Sequence, residues 1–322
     1  MSDPATVGIG LSAAVVAVDG DTPQILVTRV GDGAPALPAG PFDPRRHRTL
    51  EIALRTSIAA QTALDVGYVE QLYTFGDLGR SATPDDVGPH IVSIGYLALT
   101  RRPRDAAALA GAGAAFRPWY AFFPWEDWRR RRPEVLDAAI LPALGRWTAE
   151  APEAATGRDL PRLARARLCF GCDGAPWDEE KVLDRYELLY EAGLVEEAAR
   201  DGRTAAAARE SLPRLGETMR DDHRRILATA MGRLRAKLKY RPVVFELMKP
   251  SFTLTALQQT VEAVAGRKLH KQNFRRLVEA AALVEPTGES ETATGGRPAQ
   301  LYRFRREVIE ERPAPGLRFG RG

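Results

Sequence analysis

Three arginines stand close together just before a predicted helix. The sequence FDPRRHR contains Arg45, Arg46 and Arg48, and apolar residues at helical spacing begin at Leu50. Backbone N–H groups at a helix start have no partner within the helix, and together with the helix dipole they favour anions. Guanidinium groups add paired hydrogen bonds to phosphate oxygens. The segment therefore predicts a phosphate-binding site, the alternative being an exposed basic loop without a ligand.

The predicted helix, RTLEIALRTSIAAQ, carries no acidic side chain where metal chemistry would need one. Thr49 is its expected N-cap, and no Asp or Glu occurs from Arg55 to Leu64. Hydrolysis of a diphosphate with Mg²⁺ requires several carboxylates on one helical face to hold the cation and the attacking water. We therefore assign no catalytic residue and no metal ligand here, and we expect the protein to bind a ligand without turning it over.

Strand patterns surround this helix in residues 1–150 and indicate an α/β sandwich with a mixed sheet. The β-rich segments are GLSAAVVAV and QILVTRV, joined by the turn DGDTP, and then GYVEQLYTFG and HIVSIGYLAL after the helix. An aromatic-rich loop, RPWYAFFPWEDW, is expected to close the sheet, and the helix PEVLDAAILPALGRW follows it. This sheet must position the arginine loop and its helix.

Residues 151–240 lack a strand pattern and predict long amphipathic helices over 179–200 and 220–240. The second of these has an apolar stripe, made of Ile226, Leu227, Ala230, Met231, Leu234 and Leu238. Two interpretations of the stripe remain open. It belongs to the core of the same chain, or it pairs with a second subunit.

Residues 241–322 have the spacing of a helix-turn-helix followed by a wing. A first helix is expected to begin at Thr253 or Thr255 and to end at Gly266. The second helix, HKQNFRRLVEAA, has inward-facing apolar residues at Phe274, Leu277 and Val278. Two β-like arms around a tip rich in Gly, Thr, Ser and Glu then indicate the wing.

The positive charge of the chain is concentrated in this last part. Residues 241–306 contain 11 Lys and Arg against 6 Asp and Glu, a balance of +5, whereas the whole chain carries +4. Cationic and amide side chains on the second helix can contact phosphates and the edges of purines in a major groove. The candidates for DNA contact are Lys271, Gln272, Arg275 and Arg276 on the helix and Arg297 and Arg303 in the wing.

The composition is that of an ordinary globular protein, with 44% hydrophobic and 27% charged residues. No apolar run reaches the ~18 residues of a membrane helix, and the start MSDPATVGIG lacks the features of a signal peptide, so we expect a cytoplasmic protein without a membrane partner. Cys169 and Cys172 could form a redox pair or half of a zinc site. Because no second pair exists and the four histidines are scattered, idle thiols are the favoured interpretation.

The segment Gly40–Leu64 resembles the Nudix box, whose pattern is G-x5-E-x7-R-E-U-x-E-E-x-G-U, although it is two residues longer. With Ala63 at the last glycine, the positions of the arginine and the three following glutamates carry Thr56, Ser57, Ala60 and Gln61. At the other end of the chain, KQNFRR and GRPAQLYRF resemble the Nudix-related transcriptional regulators of NAD biosynthesis, the NrtR group. The chain looks closest to the longer, NadQ-like branch of that group.

This resemblance implies a transcriptional repressor of NAD biosynthesis genes that a nucleotide releases from operator DNA. It implies a non-catalytic Nudix-like nucleotide-sensing domain in residues 1–150, a helical linker and oligomerisation block in 151–240, and a winged helix DNA-binding domain with a C-terminal tail in 241–322. The implied effector is NAD, ATP or ADP-ribose, with no catalytic cofactor. The implied partners are double-stranded operator DNA and further copies of the chain, in a dimer or a larger homo-oligomer.

The roles of single residues are implied by their positions in the resemblance. Asn273 joins the candidates for DNA contact, or it supports its helix internally. The implied nucleotide-binding set has arginines near the phosphates and a phenylalanine stacked on the base: Phe42, Arg45, Arg46, Arg48, Arg55 and Phe75. Two other functions belong to different classes. A Mg-dependent nucleoside-diphosphate (ADP-ribose-type) hydrolase with a DNA-binding appendage would need the missing carboxylates, and an RNA-binding scaffold would need stacking aromatics.

Overall fold

Strand β1, Val7–Asp19, organises the main sheet because its apolar side chains are buried on both faces. Leu11 and Val15 pack against one group of buried residues, and Ala14 and Val16 pack against another. A strand covered on both sides is expected to have such a continuous apolar sequence. The predicted hairpin of β1 with its neighbour is confirmed, since the turn between them spans only two residues.

The computed structural model describes residues 7–29, 33–77, 90–103, 106–150, 160–208, 214–291, 298–311 and 316–317. In these residues the strands after β1 are β2 (Thr22–Thr28), β3 (Ala39–Pro41), β4 (Tyr68–Phe75), β5 (His90–Leu99), β6 (Ala114–Pro118), β7 (Val284–Glu291) and β8 (Ala299–Phe304). The main sheet has the order β4-β5-β1-β2-β6, and β3 pairs with the first half of β1. Strands β1 and β5 are parallel and the other pairs are antiparallel, which confirms the predicted mixed sheet.

Helices cover both faces of the main sheet and form the segment before the winged helix. They are α1 (Leu50–Thr62), α2 (Ala106–Gly111), α3 (Leu141–Glu150), α4 (Arg162–Phe170), α5 (Val182–Glu191), α6 (Glu196–Arg200), α7 (Thr204–Ala207), α8 (His223–Leu238), α9 (Leu254–Ala265), α10 (Lys271–Ala281) and α11 (Val308–Glu311). A π-helical turn, Leu136–Ile140, leads into α3. In this described part of the chain, no helix is long and apolar enough to cross a bilayer.

One predicted helix is wrong in its length. The segment 179–200 forms two helices, α5 and α6, that are separated at Gly193. Gly193 has a φ of +67°, and a Cβ at this position would collide with the backbone of Ala206. The apolar periodicity continues through the break because both helices pack on the same core, which is why the sequence pattern suggested one helix.

Hydroxyl caps and left-handed residues fix the ends of the two helices that matter most for function. The Thr49 Oγ1 accepts a hydrogen bond from the Ile52 N–H at 3.2 Å, and the Thr253 Oγ1 accepts one from the Ala256 N–H at 3.1 Å. The predicted cap of α1 is therefore confirmed, and the cap of α9 is Thr253. Helix α1 is capped at its C-terminal end by Ala63, which has a φ of 54° at the position aligned with the last glycine of the Nudix box.

The apolar stripe of α8 lies in the core of its own chain. Its six residues, Ile226, Leu227, Ala230, Met231, Leu234 and Leu238, are at most 1% exposed. The interpretation that this stripe pairs with a second subunit is therefore wrong, because no apolar surface of the stripe is left for a partner. The same hydrophobic core contains Val16, Leu227 and Val261, so it includes residues from all three segments into which the sequence was divided. The domain boundaries at 150 and 240 remain a prediction.

The wing rests on the segment that precedes α9. Strands β7 and β8 pair antiparallel, as predicted, and the backbone of Phe252 exchanges hydrogen bonds with that of Tyr302. The ring of Phe304 stacks on that of Phe245 with centroids 4.3 Å apart. These contacts attach the wing to the rest of the winged helix.

Candidate functional site

A cavity of about 310 Å³ opens beside the N-terminal half of β1. Its walls come from β1, β3, the end of α1, the start of β5 and the first turn of α8, and its polar lining includes Ser12, Gln61, Ser93, Arg220 and His223. This volume is at the lower end of the range for small-molecule sites, so the cavity can hold part of a nucleotide. The sheet and α8 together therefore form a candidate ligand site.

His223, the first residue of α8, is a buried and neutral part of this cavity wall. Its Nδ1 accepts a hydrogen bond from the Leu37 N–H at 3.0 Å, and its Nε2 lies 3.5 Å from the Ser12 Oγ. Burial, with Arg220 and Arg200 nearby, lowers the pKa of His223 from 6.5 to about 4. At neutral pH the ring is therefore uncharged, and the bond to Leu37 places its proton on Nε2.

The positions of the Nudix-box carboxylates serve packing and hydrogen bonding in this chain. The Gln61 Oε1 accepts from the Ala39 N–H at 3.3 Å, and its Nε2 donates to the Ala39 carbonyl at 2.5 Å. A Cβ at Gly40 would lie 2.5 Å from the Ser57 Oγ, so β3 and α1 are in close contact. Hydroxyl, methyl and amide groups do not fit a divalent cation that needs several carboxylates. Among the described residues there is no group of three or more His, Cys, Asp or Glu that could hold a metal.

The arginine loop connects Gly40, which lines the cavity, to the start of α1. The carboxylate of Asp43 accepts from the Arg45 N–H at 2.9 Å and its carbonyl accepts from the Arg46 N–H at 3.1 Å, which fixes a turn with exposed arginines. None of the three arginines, Arg45, Arg46 and Arg48, is among the described residues that line the cavity, and their binding to phosphate remains a prediction.

Three other residues of the nucleotide set have structural roles. Arg55 donates to the Glu51 carboxylate at 2.9 Å, to the Gly67 carbonyl at 2.9 Å and to the Val66 carbonyl, so its guanidinium holds the loop before β4. Phe75 is only 4% exposed, and its prediction as a stacking residue is wrong because its ring belongs to the core. Phe42 is half-buried against the apolar residues beneath α1. None of the three lines the cavity.

The charge of the cavity favours a neutral polar ligand group over a phosphate. Arg220 is the one arginine among the described residues of its lining. It lies 3.4 Å from the Asp221 carboxylate, while Asp222 pairs with Arg225 at 3.2 Å. The remaining polar groups named above are hydroxyls, an amide and the neutral imidazole of His223. Such groups suit the hydroxyls of a ribose or the edge of a base.

Sequence reasoning missed Ser12, Ser93 and His223 as site residues. A single serine within the apolar strand sequence GLSAAVVAV was the only available signal for Ser12. His223 lies 211 positions from Ser12 in the chain, and no local pattern connects two residues so far apart. The cavity is therefore a product of the tertiary fold.

Helix α10 presents a polar face beside a buried apolar edge. Phe274 and Val278 are 3% and 1% exposed and attach the helix to the core, as predicted, while Leu277 is half-buried. The predicted contact residues on this helix are all exposed: Lys271, Gln272, Asn273, Arg275 and Arg276. The Asn273 Oδ1 lies 3.4 Å from an Arg276 Nη2, so Asn273 also supports its neighbour on the helix.

The wing contributes one described cation. Arg303 on β8 has a side chain that is 65% exposed, and its Nε donates to the Glu285 carboxylate at 2.6 Å. A pair this exposed is worth little and can be exchanged for another anion. Arg297 lies outside the described residues, and its contact with DNA remains a prediction.

Cys169 and Cys172 are free thiols at the end of α4. Burial raises the pKa of both, so both are protonated at neutral pH. The described residues add no third thiol or imidazole in metal-ligating position beside them. This environment supports the interpretation of idle thiols.

The sequence of the C-terminal part of the chain matches that of a known family of DNA-binding domains. A family model described as the NrtR DNA-binding winged helix domain matches residues 244–304. A repressor of Acinetobacter baylyi named as ADPR responsive is 46% identical over 83 residues, which are 26% of this chain and 33% of that protein. The matched segment thus spans about a third of the length of that curated relative.

Two solved structures share the whole architecture. NrtR of Shewanella oneidensis in complex with a 27mer DNA has a TM-score of 0.54 at 20% identity, covering 94% of this chain and 95% of that one. The same protein without DNA has a TM-score of 0.51 at 19% identity, covering 93% and 95%. At these identities the likeness shows the fold. Residues 244–304 therefore match the NrtR winged helix domain, and the complete chain shares the fold of the two NrtR structures.

Proposed function

We propose that this protein is a transcriptional repressor that binds operator DNA through its winged helix and is released by a nucleotide of the ADP-ribose type. The observation that carries the proposal is the exposed face of α10, where Lys271, Gln272, Arg275 and Arg276 stand on a helix that matches the NrtR winged helix family. Arginine and amide side chains on such a helix can read base edges in a major groove.

The cavity beside β1 is the proposed effector site. The relative from Acinetobacter baylyi is named as ADPR responsive, which supports ADP-ribose as the first ligand to test. The hydroxyl, amide and imidazole groups of the cavity suit a ribose or a base, and the diphosphate would then extend towards solvent near Arg220. NAD and ATP share this chemistry and remain alternative effectors.

The finer parts of the proposal follow from the family resemblance. The target genes would be those of NAD biosynthesis, and the protein would act in the cytoplasm, where bacterial operator DNA lies. Two recognition helices about one DNA turn apart, ~34 Å, bind tightly where one alone makes few contacts, so a homo-oligomer is expected. Since the α8 stripe is buried, the surface between subunits must lie elsewhere.

A DNA titration tests the proposal. Duplexes selected by the wild-type protein from a random pool would be titrated by fluorescence anisotropy, with and without ADP-ribose, NAD or ATP. We expect one duplex family to be enriched and its binding to be weakened by at least one nucleotide by the ~5 to 150-fold that is typical of allosteric coupling. Failure to enrich any duplex, or identical titrations with every nucleotide, would overturn the proposal.

A further inference from the structure

A fully buried carboxylate joins the sheet segment, the helical segment and the winged helix. The side chains of Glu126 and Arg185 are 0% exposed and that of Arg235 is 1% exposed. Arg185 donates to both carboxylate oxygens of Glu126, at 2.6 and 2.9 Å, and Arg235 donates to one of them at 2.6 Å. Burial by itself would raise the pKa of Glu126, but the two guanidinium groups hold it below its ordinary value. We call Glu126, Arg185 and Arg235 the buried joint.

Arg235 extends the buried joint to the last turn of α9. Its Nε donates to the Val264 carbonyl at 3.0 Å, and beside it the Tyr120 hydroxyl donates to the Ala263 carbonyl at 2.7 Å. These carbonyls are at the helix end that leads into the turn before α10. Arg235 therefore helps to set the angle at which α10 leaves the core.

The turn before α10 is held by backbone as well. The Trp128 N–H donates to the Gly266 carbonyl at 2.7 Å, and a Cβ on Gly266 would lie 2.6 Å from the Glu126 carbonyl. Gly266 also needs its φ of +74°, which a side chain disfavours. The loop around Glu126 and the helix-turn-helix thus fit together with no free space.

Helix α8 connects this joint to the candidate effector cavity. Its first residue, His223, lines the cavity, and Arg235 follows twelve residues later, about 18 Å along the helix. Between them the apolar stripe is buried, and Ile226 lies against Gly95, where a Cβ would be 3.0 Å from its Cγ2. A helix packed this closely moves as a rigid body, because interior packing leaves no room for gradual deformation.

We propose that Arg235 is a positioning residue that transmits the state of the effector cavity, through α8, to the orientation of α10. The inference rests on the proposed function and assigns its regulation to a particular joint. A ligand against His223 displaces the start of α8, and Arg235 passes the displacement to the end of α9 through Val264 and Glu126. The effector then acts on α8 at its first residue, and DNA acts on the other end of α8 through α10, the end of α9 and Arg235.

The test compares two tyrosine variants that each lose a hydrogen-bonded hydroxyl. Tyr120→Phe removes the bond to Ala263 and the 3.4 Å bond from an Arg235 Nη2 at the joint. The control Tyr190→Phe removes a partly buried bond of 2.9 Å to Asp201 in the helical segment. Each change keeps the aromatic ring and removes only the hydroxyl, so both variants should fold. For each, the dissociation constant of the selected duplex is measured with and without ADP-ribose, and ADP-ribose binding is measured without DNA.

We expect Tyr120→Phe to bind ADP-ribose like the wild type but to reduce its effect on DNA binding ~3-fold or more, whereas Tyr190→Phe keeps the full effect. Arg235→Lys, which cannot reach Glu126 and Val264 together, should reduce the effect further. Its control is Arg233→Lys on the same helix, where the side chain is 44% exposed and lies 3.5 Å from Glu70.

A merely structural joint gives a different result. In that case Tyr120→Phe would lower the melting temperature and weaken DNA binding equally with and without ADP-ribose. The ratio of the two dissociation constants for DNA would then keep its wild-type value, and this result would overturn the inference. If Arg235→Lys fails to fold, the result for Tyr120→Phe alone tests the inference. A wild-type protein on which no nucleotide acts would instead refute the proposed function itself.

Discussion

The polar face of α10 and the polar lining of the cavity differ in how far their groups are already satisfied. On α10 the side chains of Lys271, Gln272 and Arg275 extend into solvent, ready for a partner. In the cavity, Gln61 is bonded to Ala39 and His223 to Leu37. A ligand at α10 replaces water, whereas a ligand in the cavity competes with bonds within the chain. Binding at the cavity can therefore change the conformation of the chain, which is what an allosteric effector has to do.

The largest expected effect is at α10. Arg275→Ala together with Arg276→Ala should weaken binding to the selected duplex by ~100-fold or more, since each arginine that contacts a guanine or a phosphate is worth ~1 to 3 kcal/mol. The matched control is Arg130→Ala with Arg131→Ala, an exposed arginine pair outside the winged helix. Anisotropy titrations at several salt concentrations measure both. Equal losses in the two double variants would mean that general charge, and not the α10 face, determines binding.

The next effect concerns the neutral state of His223. Its pKa of about 4 in the folded protein lies below the 6.5 of the unfolded chain, so unfolding is favoured by proton uptake as the pH falls from about 6.5 to about 4. At pH 5 the wild type should have lost ~2 kcal/mol of unfolding free energy through this residue, and nothing above pH 7. Urea unfolding of wild type and His223→Gln across this range checks the difference.

His270→Gln, at the exposed start of α10, is the control for that experiment. It removes an exposed imidazole, whereas His223→Gln removes the buried one and should show a shallower pH dependence because Gln carries no titrating ring. If the two variants have the same dependence on pH, the pKa of His223 is not lowered in the folded protein, and its ring is solvated or paired with an acidic group there.

The smallest expected effects are on ADP-ribose binding, and they distinguish the cavity from the arginine loop as the binding site. Ser93→Leu places a larger side chain in the cavity and should weaken ADP-ribose binding ~10-fold or more, while Thr56→Leu on the exposed face of α1 should not. Replacing Arg45, Arg46 and Arg48 together by Ala should weaken it only ~3-fold, because these exposed charges do not line the cavity and act on a ligand there through screened attraction. Calorimetric titration ranks the three variants. If the triple variant binds ADP-ribose more weakly than Ser93→Leu does, the diphosphate binds at the arginine loop.

What the sequence predicted well was determined locally. The cap at Thr49, the end of α9 at Gly266 and the exposed face of α10 each depend on residues within a few positions of one another. What it missed was determined by distant pairs. The bond between His223 and Leu37 joins residues 186 positions apart, and that between Arg235 and Glu126 joins residues 109 apart. Phe75 shows the same limit, since its burial depends on α8 packing over β4 and β5.

The larger of the two hydrophobic cores has a consequence for how the molecule unfolds. Because Val16, Leu227 and Val261 share one apolar cluster, the winged helix cannot detach without exposing the side chains that hold the sheet and α8 together. Unfolding should then be one cooperative transition, and the slowest amide protons should be spread over β1, α8 and α9. A ligand that binds only at the cavity would on this account protect the whole molecule from local opening, including the recognition helix it never touches.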